Sequence, residues 1–190
     1  MIKPILITVL CLSAGLPVFA DKSHMTAREL AETRLMAEWV GEAEKQFALG
    51  NAYYQGDGVP QNFAEAVKWY RKAAEQEHTN SQYMLGLMYD RGEGMPTVYV
   101  EAVAWYRKAA EKGHTKAQLE LGKKYAEGKG VPQNFAEAYV WCNLAAASGL
   151  EAAIEERDSL ASKLSKEEIS EAQRRSMQLF ESFSQGEPEN

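Results

Sequence analysis

The side chains best suited to chemistry in this chain are few. It has three histidines and two cysteines in 190 residues. His78 and His114 stand 36 positions apart, at the ends of two similar segments. A shared metal site would need further nitrogen, sulfur or carboxylate ligands beside them. The sequence places no acidic partner near either, so both read as solvated turn residues. Cys142 is a lone cysteine in an apolar setting and reads as a small buried hydrophobe. There is no His-Glu-x-x-His, no Gly-x-Ser-x-Gly, no phosphate loop and no paired cysteine motif. The Gly56-Asp57-Gly58 stretch could cradle an anion, but its glycines are already accounted for as a helix stop and a turn. The carboxylates form no pair set apart by its surroundings and read as solvated helix faces. No acid, base or nucleophile constellation can be named, so the sequence predicts a protein that is not an enzyme and has no cofactor or metal.

The dominant signal is repetition. Leu49–Glu75 reads LGNAYYQGDGVPQNFAEAVKWYRKAAE, and it returns at Leu85–Glu111 and Leu121–Ala147 without insertion. A fixed period of this length indicates stacked supersecondary units rather than one globular core. Each unit reads as a helix A, a Gly-rich loop, a helix B and a short turn. In the first unit, Phe47, Leu49, Gly50 and Tyr53 give helix A over about 42–55. Gly56 suits a left-handed cap and Gly58 the following turn. Asn62 and Glu65 make a capping box for helix B over about 63–76. Ala66, Trp69, Tyr70, Ala73 and Ala74 form one continuous stripe on that helix. Trp69, Trp105 and Trp141 are in register and read as interlocking core residues. Gly50, Gly86 and Gly122 share one slot inside helix A, which predicts the close approach of another backbone. In the second unit Thr97-Val98-Tyr99-Val100 replaces Gln-Asn-Phe-Ala, so that helix B loses its cap.

Flanking segments complete the organisation. Residues 1–20 have the layout of a secretory signal peptide: Lys3, an apolar run at Ile5–Leu12, and Val18-Phe19-Ala20 before a cut. The run is too short and too broken for a membrane span. Residues 21–42 read as a linker and a leading helix from 27 to 40, begun by a capping box at Thr26 and Glu29. The three units are 43–78, 79–114 and 115–150. Residues 151–184 read as two capping helices, the second opened by Ser165 and Glu168, and 185–190 as a disordered tail. Loss of the leader would remove Cys11 and leave no intramolecular disulfide. Lys and Arg total 21 against 27 Asp and Glu, a net charge of -6, and no basic stripe is present. That composition predicts no nucleic-acid partner.

The pattern Leu-Gly-x-x-Tyr-x-x-Gly-x-Gly, then Val/Met-Pro, then Glu-Ala-x-x-Trp-Tyr-x-x-Ala-Ala, resembles the Sel-one-like repeat, a relative of the tetratricopeptide repeat. The resemblance covers about residues 43–150, and Glu151–Gln173 looks like the terminal helices that often follow such repeats. It implies an all-α fold, a right-handed α-solenoid of helix-turn-helix repeats with flanking capping helices. It also implies an adaptor or scaffold role, and export in a bacterial member. One branch of the family is cysteine-rich, with a disulfide in each repeat. This chain lacks those cysteines, so an enzyme-like role suggested for that branch does not carry over.

Slots that differ among the three copies are where a partner can be specified. On helix A these are Ala48/Met84/Glu120, Asn51/Leu87/Lys123, Ala52/Met88/Lys124 and Gln55/Arg91/Glu127. The resemblance puts helix A on the concave face. The expected binding surface is therefore Asn51, Gln55, Met84, Leu87, Met88, Arg91, Lys123, Lys124 and Glu127, with an apolar Met-Leu-Met centre. Arg91, Lys123 and Lys124 favour an acidic segment of a protein or peptide partner. The alternative reading of Leu87 and Met88 is packing against the neighbouring helix A. The predicted function is a protein-interaction module of the bacterial cell envelope, most simply the periplasm. The alternative is a periplasmic inhibitor or immunity-type protein acting on one secreted enzyme.

Overall fold

The computed structural model describes residues 42–184. The expected leader, leading helix and disordered tail lie outside the described residues. Eight helices follow in order: α1 (Ala43–Gln55), α2 (Phe63–Glu75), α3 (Thr79–Arg91), α4 (Tyr99–Glu111), α5 (Thr115–Glu127), α6 (Phe135–Ala147), α7 (Glu151–Ala161) and α8 (Lys166–Ser184). No strand occurs among the described residues. The odd-numbered helices α1, α3 and α5 are the A helices, and α2, α4 and α6 the B helices. Each packs on the helix before and after it from α1 to α7, which makes a solenoid of three units.

Local sequence sets each boundary. Gly56, Gly92 and Gly128 stop the A helices with φ of 78, 71 and 72°, a region that disfavours other residues. Asn62 and Asn134 cap α2 and α6 by accepting from the amides of Glu65 and Glu137. Val98 stands in that place on α4 and gives no side-chain cap.

Gly50 and Gly86 make room for a ring rather than for the backbone the sequence predicts, whereas a Cβ at Gly122 would meet the Cys142 sulfur at 2.5 Å and the Ala138 backbone oxygen at 3.1 Å. A Cβ at Gly86 would lie 2.5 Å from the ring of Tyr106, and one at Gly50 2.6 Å from Tyr70. The closest backbone approaches belong to the loop glycines. A Cβ at Gly94 would lie 2.5 Å from the Phe63 carbonyl carbon of the preceding unit, and one at Gly130 would collide with the backbone carbonyl oxygen of Tyr99.

The core is a chain of clusters that straddle the units. Trp69, Trp105 and Trp141 are all buried in it, as their register predicts. The Arg71 guanidinium, on α2, donates to the Tyr89 hydroxyl on α3 at 2.6 Å, and Arg107 does the same to Tyr125 one unit later. Gln82 and Gln118 each donate to the last turn of the preceding B helix, at the carbonyls of Ala74 and Ala110. In the third unit Asn143 replaces the arginine and donates to Ser176 of α8 instead. That helix does not pair with α7 as a fourth helix B would. It lies against α6, held by Arg175 to Glu137 and by Gln173 to Tyr139. Leu179 and Phe183 pack on the cluster containing Trp141 and Leu144.

Candidate functional site

The structure separates the expected binding residues into two groups. Leu87, Met88 and Lys124 are buried, with 8, 0 and 6% of their surface exposed. Met88 belongs to the core shared by units one and two, and Leu87 to that shared by units two and three. The Met-Leu-Met surface patch is therefore reduced to Met84, because the helix A stripe is wider than strict i, i+3, i+4 spacing implies and takes the two neighbours inside. Lys124 is held in the junction by Asp90, at 2.7 Å, below the ring of Tyr99.

The remaining residues reach the surface. Met84 is half-buried, and Gln55, Arg91 and Glu127 are exposed. Arg91 lies 3.8 Å from Glu93, which also accepts from the Tyr54 hydroxyl. Lys123 is half-buried and pairs with Glu120 at 3.1 Å. Glu127 pairs with Lys129 at 2.9 Å. Asn51 is half-buried, and its side-chain oxygen accepts from the Tyr70 hydroxyl at 2.7 Å, so it orients a core tyrosine.

A groove of about 460 Å³ crosses the N-terminal halves of the three A helices. It is lined by Phe47, Asn80, Tyr83, Met84, His114, Thr115 and Lys116. Only Met84 was marked by comparing variable slots. Phe47 reads in the sequence as part of the packed stripe of helix A, and its slot holds Tyr83 and Leu119 in the later units. Burial raises the Tyr83 hydroxyl above its ordinary range, and the nearby Glu120 carboxylate adds to this while Arg91 opposes it.

The histidines are not solvated turn residues. Both begin A helices. His78 Nδ1 accepts from the amide of Ser81, and His114 Nδ1 accepts from that of Ala117 at 3.1 Å. An accepting Nδ1 puts the proton of the neutral ring on Nε2. His78 also has an acidic partner that linear spacing could not reveal, since its Nε2 lies 2.9 Å from Glu44 at the start of α1. His114 stacks on Tyr83 with ring centres 4.5 Å apart. Burial lowers its pKa, and the charge of Lys116 lowers it further.

No group of three or more histidine, cysteine, aspartate or glutamate side chains able to hold a metal occurs among the described residues. The Cys142 thiol is fully buried and pushed up to about 12 by that burial, so it stays protonated and serves packing. No described helix is long and apolar enough to cross a membrane.

Comparison with known proteins agrees with this architecture. Sel1 repeats match residues 44–78, 79–114 and 115–150. A Sel1 repeat protein from Oxalobacter formigenes is 36% identical with a TM-score of 0.63, over 70% of this chain and 98% of its own. The Escherichia coli protein c5321, described as a protective antigen of uropathogenic strains with an SLR fold, is 44% identical with a TM-score of 0.63. That match covers 65% of this chain but 26% of c5321, so this chain spans about a quarter of its length. Helicobacter pylori cysteine rich protein B shares the fold at 24% identity and a TM-score of 0.54, over 69% of this chain and 96% of its own. No curated protein matches the sequence. Sel1 repeat proteins are in general protein-interaction modules. With all three units matched in register and the same helical array found in solved relatives, this chain belongs to the Sel1 repeat family.

Proposed function

We propose that this protein is a non-catalytic interaction module of the bacterial cell envelope, taking a protein or peptide segment along the face built by its A helices. The observation that carries this reading is the groove across α1, α3 and α5, where Phe47, Tyr83 and Met84 are half-buried side by side. Aromatic and methionine side chains offer large, adaptable contact area with little further ordering, which suits recognition of a side chain or helix. Arg91 and Lys123 lie further along the same face and favour an acidic segment. Of the residues marked from sequence, Met84, Arg91 and Lys123 serve as contacts, with Gln55 and Glu127 at the rim. Asn51, Leu87, Met88 and Lys124 support that surface from behind. The leader-like residues 1–20 support export to the periplasm.

Site-specific photo-crosslinking tests this placement. A photoreactive residue at Met84 or Arg91 should capture a discrete partner from envelope extract, and the same residue at Lys68 or Ala104 on the B helices should not. Equal capture from both faces, or from the B face alone, overturns it. Arg91→Glu should reduce capture of the same partner by about tenfold, the scale of one reversed charge in a contact.

A further inference from the structure

The histidine caps at the two inter-unit junctions are built alike, but the charges around them differ. At the first, His78 caps α3 through Nδ1, has Phe47 at 4.8 Å and holds the Glu44 carboxylate on Nε2. Advancing each residue by one repeat gives the second junction. His114 caps α5 through Nδ1, and Tyr83 stands in the place of Phe47. The position of Glu44, however, is now Asn80, and the position of Asn80 is now Lys116. The second junction has thus lost its own carboxylate and gained a cation. The Nε2–H of His114 has no protein acceptor, and Lys116 no ion pair, among the described residues. Both groups line the groove that also contains Tyr83 and Met84.

We propose that this second junction is the seat for an acidic side chain of the partner segment. Its carboxylate accepts from His114 Nε2–H and pairs with Lys116, as Glu44 is held by His78. An adjoining apolar side chain of the partner lies between Phe47 and Met84. The inference rests on the helix-A reading above and narrows it to one contact. A charged donor beside a neutral N–H, partly shielded by an aromatic ring, favours a carboxylate over an amide. The internal precedent at His78 is a glutamate side chain, so the occupant is taken to be an internal acidic residue.

The test uses the full chain, isotope-labelled for NMR, titrated with acetyl-Ala-Phe-Glu-Ala-amide and with its Phe-Gln counterpart. Both ends are blocked, so the glutamate supplies the sole carboxylate. The Glu peptide should shift the Ala117 amide and the His114 ring saturably, with an affinity at least about fivefold above that of the Gln peptide, the scale of one charge-assisted hydrogen bond. His114→Asn retains a capping side chain but lacks the Nε2 donor, and Lys116→Ala removes the cation. Each should bring the two peptides to parity while the circular dichroism of the helices is unchanged. Asn80→Glu restores the internal carboxylate and should abolish Glu-peptide binding. Equal binding of the two peptides by the wild-type protein overturns the seat, as does discrimination that survives in His114→Asn. Crosslinking at Met84 without peptide discrimination would remove the seat and leave the helix-A reading. Discrimination without helix-A crosslinks would do the reverse.

Discussion

The ammonium of Lys124, in the third unit, lies 2.7 Å from the carboxylate of Asp90 in the second, with 8 and 15% of the two side chains exposed. Asp90 also accepts from the Tyr106 hydroxyl at 3.3 Å. Lys124→Ala would leave the Asp90 charge inside the junction with one neutral donor. Removing one partner of a buried pair typically costs about 3–5 kcal/mol. Urea denaturation should show a loss of that order for Lys124→Ala. Replacing both residues by leucine should recover most of it.

The uncapped start of α4 offers an opposite change. Asn62 and Asn134 accept from the third-residue amide of their helices, while the exposed Val98 accepts nothing. The flanking backbone is already extended at Val98, as at the asparagines. Val98→Asn should therefore stabilise the protein by about 1 kcal/mol. Thermal unfolding followed by circular dichroism would register this as a rise of about 2–4 °C.

Glu77 has a φ of 63°, whereas Gly113 and Gly149 take the same turn position in the later units. Such a conformation costs a non-glycine residue about 1–2 kcal/mol. The Glu77 side chain returns some of this through an exposed contact to Lys112 at 3.2 Å. Glu77→Gly should raise the unfolding midpoint slightly, by the equivalent of about 0.5 kcal/mol after the greater freedom of glycine in the unfolded chain is counted. A lower midpoint would show that the contact to Lys112 outweighs the strain.

The cap at α5 should make stability depend on pH. Burial and Lys116 hold the folded-state pKa of His114 below the ordinary value of about 6.5, and Tyr83 packs on its other side. Below that value the unfolded chain binds more protons than the folded one, so stability must fall. The contribution is complete above about pH 6.5 and is lost as pH drops through the folded-state pKa. A second proton on Nδ1 also removes the acceptor for the Ala117 amide. His114→Asn should flatten this part of the stability curve, measured by urea midpoints between pH 7.5 and 5.

What the sequence made legible was whatever repeats. Leu49, Trp69 and Gly56 recur at one period, so the repeating helices, their glycine stops and the asparagine caps of α2 and α6 could be read from spacing. Leu87 and Met88 were harder, because differing between copies and facing the solvent are separate properties. A slot can change identity and remain inside when the neighbouring unit changes to match it, as Lys124 does with Asp90. The histidines were misread for a different reason. Their partners, Glu44 and Tyr83, lie about one repeat away in sequence, and contacts of that range follow from stacking rather than from local pattern. The carboxylate of Glu44 could have been paired with His78 only once the register of α1 on α3 was known.

The return of α8 onto α6 alters how the array can come apart. A simple solenoid frays from its ends, where a unit has one neighbour instead of two. Here the nineteen residues of α8 lie back across the last B helix. Any pull on the C-terminal side must first peel that helix away, breaking Arg175 from Glu137 and Asn143 from Ser176, before the third unit bears the strain. The arrangement is a clasp rather than a lid: it closes the chain upon itself and gives the C-terminal end of the array a mechanical stop.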